Sequence, residues 1–274
     1  MLVDKLQKRH PARCLFFVGL LFCSTLAVAE SSASRLPESR TCLADLAAEP
    51  VTVVRITDGD TVVLDDARRV RLIGLNTLEL NASSEQDKQM ARRARQALGE
   101  FLEGQAVMLI AGRDPHDRHG RSLAHVRLSN GGDAAQFLVS QGLGLPVAVG
   151  NNTRCAYVLQ RLGQAARKAG RGLWASPGDW YLDQPRRIGL RRGFHVSKGR
   201  VERISGRGSR TSLELDNGLR VTLGRYWPRN GKQARAELLA LVGEEVEVRG
   251  WLSNTNGKPR LILYHPANLE LASH

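Results

Sequence analysis

The chain has 274 residues, 42% of them hydrophobic and 24% charged, enough for one large core or two small ones. Forty Lys and Arg against 27 Asp and Glu leave a formal net charge of +13, a field that attracts polyanions such as nucleic acid or anionic lipid; the bland alternative is solubility alone. Past residue 29 no apolar run approaches the roughly 20 residues that cross a bilayer, which excludes stable helical membrane insertion of the remainder.

Taken in order, the chain opens with Lys5, Lys8, Arg9 and Arg13, followed by the apolar run Cys14 to Ala27 and the small-residue site Ala27-Val28-Ala29. This is the pattern of a signal peptide, residues 1–29, cleaved after Ala29 to give a secreted or periplasmic chain. Phe22 before Cys23 fits a lipoprotein signal poorly, so release is expected rather than anchoring. Residues 30–50 read as a lead-in. Cleavage leaves two cysteines, Cys42 and Cys155; an oxidising compartment favours their pairing, the alternative being two buried free thiols.

From Val51 three apolar runs alternate with turn signals. Val51, Val53 and Val54, then Thr61 to Leu64, then Val70, Leu72 and Ile73 are separated at Asp58-Gly59 and Asp65-Asp66, which predicts a strand-turn-strand-turn-strand meander. Ser83 to Glu103 places Met90, Ala94, Leu98, Phe101 and Leu102 at helical spacing, with Ser83 or Ser84 as N-cap. Ala106 to Ala111 and Ser122 to Leu128 predict two further strands around a polar loop, Arg113 to Arg121. Helices are expected over Asp133 to Gln141 and from about Arg154 to Lys168, with Trp174 packing back. The order βββαββαα predicts an α+β domain over 51–176: a five-stranded barrel of the oligonucleotide-binding (OB-like) type with three helices.

The motifs Asp58-Gly59-Asp60-Thr61, Arg71 to Glu79, Asp117 to Ala124, Gln141-Gly142-Leu143 and Asn151-Asn152-Thr153 stand in the order found in the staphylococcal nuclease (thermonuclease) family, which this stretch resembles from about Val51 to Trp174. The resemblance implies an endonuclease that hydrolyses phosphodiester bonds of DNA and RNA with little sequence preference, using a divalent metal, calcium in that family. It assigns catalysis to Arg71, Glu79 and Arg121: Glu79 as the base that takes a proton from water, the arginines as bidentate partners of the phosphate. It assigns the metal to Asp60, Asn76 and the Thr77 backbone carbonyl, supported by Asp58. His119 is either a phosphate or base contact or a solvated loop residue; His116 and His125 are assigned nothing.

Three departures bear on function. Asn76 stands where the family has a second ligating aspartate, so the site loses a negative charge and affinity for calcium should fall. Leu78 replaces a proline before the general base and should loosen the turn that aims Glu79. The family's base-stacking tyrosines are missing from Gly144 to Gly150, which predicts weak binding of short nucleotides.

Ser176 to Gly193 is rich in Arg and Pro and reads as a basic linker, 177–196. Val201 to Gly224 then repeats the pattern of Val53 to Gly74, and a helix over Lys232 to Leu241 with strands Glu245 to Leu252 and Arg260 to Tyr264 would complete a second small OB-like barrel, 197–274. Its turn Gly206-Arg207-Gly208 lacks the acidic pair, so it binds no metal. Lys198, Arg200, Arg203, Arg207, Arg210, Arg225 and Arg229, with Tyr226, Trp227 and Trp251, are either a nucleic-acid groove or a solvated face around core aromatics. Two rivals to the nuclease reading remain: a non-catalytic nucleic-acid-binding protein of two OB-like barrels, and an envelope-surface binder of other polyanions.

Overall fold

The meander pairs where its alternating valines and leucines predict. In this computed structural model the described residues are 42–182, 192–206, 211–224, 227, 236–255 and 257–272. The expected signal peptide, most of the lead-in and linker residues 183–191 lie outside them. β1 (Glu49–Val51) and β2 (Val53–Asp58) are two halves of one bent strand, followed by β3 (Thr61–Leu64), β4 (Arg69–Leu72) and the short β5 (Leu75–Asn76). Helix α1 (Glu85–Leu102) leads to β6 (Val107–His116) and β7 (Ser122–Leu128). After α2 (Ala134–Ser140), β8 (Leu145–Pro146) and α3 (Ala156–Lys168) follow. β1 pairs with β6, β2 with β3, β3 with β4, β4 with β7 in parallel and β7 with β6, so the bent strand closes a five-stranded OB-like barrel.

Caps match the sequence signals: Ser84 accepts from the Asp87 N–H at the start of α1 and Asp133 from the Gln136 N–H at the start of α2, satisfying donors that a helix terminus otherwise leaves open. Ala91, Ala94, Leu98 and Leu102 form the buried stripe of α1, and the last three share one core with Val62, Leu64, Val70, Val107 and Leu109; each fully buried Val or Leu contributes about 1.5–3 kcal/mol. The polar loop is shorter than its composition suggested. β6 runs through a bulge to His116, because its exposed edge tolerates Arg113 and Asp114, and only 117–121 remain as a turn. Cys42 and Cys155 are joined in a disulfide that closes 113 residues, a constraint worth about 5 kcal/mol on the chain-entropy model.

Beyond a 3₁₀ turn (Gly172–Ala175), β9 (Tyr181–Leu182), β10 (Gly193–Ser205), β11 (Ser212–Leu215), β12 (Arg220–Leu223), β13 (Glu245–Thr255), β14 (Lys258–Leu263) and β15 (Leu269–Leu271) form a second sheet. β10 pairs with β11 and, over Gly193 to Arg200, also with β13, so the sheet curls around Val201, Leu213, Val221, Val248 and Leu261. β10 begins within the stretch read as linker. Trp180, Tyr181 and Leu182 of that stretch are buried, because aromatic and leucine side chains outweigh the Pro and Arg signals around them. Of the expected helix Lys232 to Leu241, residues 236–239 are helical and 231–235 lie outside the described residues, as do Arg207, Arg210, Arg225, Tyr226 and Arg229. Trp227 packs on the core of the second sheet.

Both sheets belong to one compact unit, Pro37–His274. Arg167 of α3 ion-pairs with buried Glu247 of β13, donates to the Tyr181 hydroxyl at 2.9 Å and lies 4.8 Å from the centre of the Trp174 ring. Asn268, in the 3₁₀ turn Pro266–Asn268, accepts from the Ala148 N–H and donates to the Ala148 carbonyl, both at 2.8 Å. Among the described residues no helix is long and apolar enough to cross a membrane.

Candidate active site

The acidic turn between β2 and β3 lies directly on α1. A Cβ on Gly59 would sit 2.7 Å from the Ala94 Cβ and 2.9 Å from the Thr77 Cγ2, so glycine is what lets the turn carrying Asp58 and Asp60 press against the strand end carrying Thr77. The Asp58 carboxylate accepts from the Asp60 N–H at 3.1 Å. Burial, and then the neighbouring Asp60 charge, push the Asp58 carboxyl up to about 6.

Asp60, Arg71, Asn76 and Thr77 are all buried and form one network. The Asp60 Oδ2 accepts from the Thr77 N–H at 3.0 Å and lies 2.9 Å from the Arg71 Nη2. That same Nη2 donates to the Asn76 Oδ1 at 3.0 Å, while the Arg71 Nη1 donates to the carbonyls of Leu72 at 3.1 Å and Leu75 at 3.2 Å. The Asn76 Nδ2 donates to the Thr77 carbonyl at 2.8 Å. Arg71 is thus held by a carboxylate, an amide and two backbone carbonyls.

Arg121 enters from the turn before β7. Its Nε donates to Asp117 at 2.7 Å and its Nη1 reaches the Thr61 hydroxyl at 3.4 Å, which in turn donates to the Asp60 Oδ1 at 3.1 Å. Burial opposes ionisation of Asp117, but the Arg121 hydrogen bonds outweigh it and hold the carboxyl below its usual range. Glu79 stands exposed three residues past Asn76. Desolvation and the Asp60 charge raise its carboxyl, partly offset by Arg71 and Arg121, so all three lie within electrostatic reach of Glu79.

The fold therefore gathers Asp58, Asp60, Arg71, Asn76, Thr77, Glu79 and Arg121 on one rim of the barrel. His119 is placed otherwise: it lies exposed in the turn and its Nε2 accepts from the Arg118 Nε at 3.0 Å. Sequence reasoning missed Asp117 as the holder of Arg121; its signal was an acidic residue four before the arginine. It also missed what fixes Leu78, which packs partly buried against a cluster of Leu145, Leu173, Trp180, Tyr181 and Val196. Burial of an aliphatic side chain thus secures the turn before Glu79 where the family uses a proline ring.

Among the described residues no group of three or more His, Cys, Asp or Glu has metal-holding geometry. The converging donors are instead the oxygens of Asp58, Asp60, Asn76 and the Thr77 carbonyl, a hard set suited in kind to calcium or magnesium. The crowding of Asp58 on Asp60 is charge that a cation relieves. The residues present fit such an ion in chemical kind, while Arg71 engages Asp60 and Asn76, the Thr77 N–H and the Thr61 hydroxyl each engage Asp60, and the Asn76 Nδ2 engages the Thr77 carbonyl.

The family model described as staphylococcal nuclease homologue matches residues 69–176. The chain is 35% identical over 89 residues to a protein named thermonuclease from Staphylococcus intermedius, covering 31% of this chain and 53% of that one. It is 29% identical over 126 residues to proteins named uncharacterized endonuclease from Escherichia coli O157:H7 and Escherichia coli, covering 45% of this chain and 75% of each. The chain thus spans about half the length of the thermonuclease that it matches and three quarters of each endonuclease. The matched stretch begins at β4 and takes in Arg71, Asn76, Thr77, Glu79 and Arg121, so over residues 69–176 this chain is similar to the staphylococcal nuclease family.

Proposed function

We propose that the chain is a divalent-metal-dependent nuclease that hydrolyses phosphodiester bonds of DNA and RNA with little sequence preference. The observation that carries this reading is the convergence of Glu79, the Arg71–Asp60 pair and Arg121 on one rim. A phosphodiester repels nucleophiles, so its cleavage requires neutralised charge, an activated water and donors for the five-coordinate transition state. Arg71 and Arg121 are planar donors for phosphate oxygens. Glu79, its carboxyl made more basic by partial loss of solvent and by the Asp60 charge, takes the proton from the attacking water. Family resemblance implies that the bond to the 5′ oxygen breaks. Asp60, Asn76 and the Thr77 carbonyl, with Asp58 beside them, would hold the cation, calcium by resemblance; when bound it supplies electrophilic activation and charge neutralisation.

The second sheet, read as a second OB-like barrel, adds affinity for the polyanion. The basic and apolar pattern of residues 1–29 and the Cys42–Cys155 disulfide support a secreted or periplasmic location.

The test is Glu79→Gln on the full mature chain with heat-denatured DNA and calcium. Because Glu79 is exposed, the variant should fold as the parent does, while hydrolysis falls by about 10²–10⁴-fold. Unchanged hydrolysis refutes the assignment of the base. One observation favours a second reading, a non-catalytic nucleic-acid-binding protein: Asn76 satisfies Arg71 and Thr77 together, so the network is closed without a cation. DNA left intact by the parent under every metal condition, yet retarded on a gel, would establish that alternative.

A further inference from the structure

The outward face of the second sheet carries rings and cations side by side. In β13, β14 and β12 the residues Val248, Leu252, Leu261, Leu263 and Val221 point into the core. Period-two alternation therefore turns Trp251, Ser253, Ile262, Arg260, Lys258 and Arg220 outward. Trp251 is 40% exposed and Ile262 44% exposed, large apolar area left on a surface with no covering element among the described residues. Phe194 pairs with Trp251 across β10 and β13, and their rings meet edge to face at 5.1 Å.

Beside this strip the cations differ in their availability. Arg220 is held by Glu214 at 2.7 Å. Its cross-strand neighbour Arg260, and Lys258 two residues before it, are exposed and make no ion pair among the described residues. The face also leads toward the candidate active site: Phe194 packs against the same apolar cluster as Leu78, the residue before Glu79.

We infer that this face binds single-stranded nucleic acid, with bases stacking on Trp251 and phosphates paired by Arg260 and Lys258. An exposed indole stacks on any base, but only where base faces are uncovered, which a duplex does not offer. The positive strip complements the phosphate backbone. The inference rests on the nuclease reading only for the choice of polymer.

The experiment uses the full mature chain carrying Glu79→Gln, in chelator, with a fluorescent oligothymidylate of about 30 nucleotides and a duplex of equal length, read by anisotropy across a salt series. Trp251→Ala should weaken single-strand binding by about tenfold and leave the salt slope unchanged, and Trp251→Tyr should restore most of the affinity. Replacing Lys258 and Arg260 by Gln should flatten the slope by about 0.7 per cation removed. Affinity unaltered by Trp251→Ala, or equal dependence of duplex and single strand on Trp251, overturns the inference. So does a parent dimer in sedimentation that Trp251→Ala converts to monomer, which would make the face a contact between copies. Hydrolysis of a dinucleotide diester by Trp251→Ala in an otherwise unaltered chain should equal the parent's. Absence of hydrolysis of heat-denatured DNA by both under every metal condition refutes the nuclease reading alone, since the binding arms still decide the face.

Discussion

Replacing Asn76 by aspartate restores the carboxylate that the family carries there and breaks one hydrogen bond in the process. In the structure the Asn76 Nδ2 donates to the Thr77 carbonyl at 2.8 Å in a buried site, while its Oδ1 accepts from Arg71 at 3.0 Å. In Asn76→Asp a carboxylate oxygen faces the Thr77 carbonyl, acceptor against acceptor, at a cost of about 1–3 kcal/mol, and the now charge-assisted bond to Arg71 offsets about 1 kcal/mol of it. In chelator the variant should therefore melt a few degrees lower, at about 2–4 °C per kcal/mol for a domain pair of this size. Calcium should reverse the order. The added charge should tighten the site by about tenfold or more, and at 100 times the dissociation constant a ligand that binds only the folded state stabilises by about 2.7 kcal/mol. The assay is thermal melting with and without calcium, with calorimetric titration of the ion, so that no activity is needed. A variant that melts with the parent in chelator would refute the hydrogen-bond argument, and one with the parent's calcium response would remove residue 76 from the cation site.

Three other perturbations follow from the same contacts. Asp117→Ala frees the Arg121 guanidinium from its 2.7 Å partner; kcat/KM on single-stranded DNA should fall by about tenfold with little change in melting, and an unchanged value would show that Arg121 needs no holder. Burial raises the Asp133 carboxyl to about 6 and lowers the His125 imidazole to about 4. The raised acid makes stability fall as pH rises from about 4 to 6, whereas the depressed histidine makes it rise from about 4 to 6.5, so in the parent the two nearly cancel. In Asp133→Asn the histidine acts alone, and urea unfolding should show stability rising by about 2–3 kcal/mol across that window; a flat profile would mean that His125 is not held neutral. Asn268→Ala leaves both polar groups of buried Ala148 unpaired, which should cost about 2–4 kcal/mol and speed hydrogen exchange at the Ala148 amide; retained protection there would show that the second sheet does not brace this loop.

Local chemistry was written in the sequence. Alternating valines and leucines with Asp-Gly and Asp-Asp turns set the meander, and Ser83 or Ser84 and Asp133 marked two helix starts, because each signal acts within a few residues; that Asp60, Arg71, Glu79 and Arg121 belong together was implied only by the resemblance of their motifs to the staphylococcal nuclease family. The reach of β6 to His116 and the burial of Trp180 and Tyr181 were not legible there, since pairing with β7 and packing against distant leucines override composition. Nor was it legible that Arg71 bridges Asp60 to Asn76, that Asp117 holds Arg121, or that Asn268 clasps Ala148 across 120 positions. A sequence lists donors and acceptors; which of them meet is decided when the chain closes on itself, because a hydrogen bond depends on position to within a few tenths of an ångström and on which competing partners the surrounding core excludes.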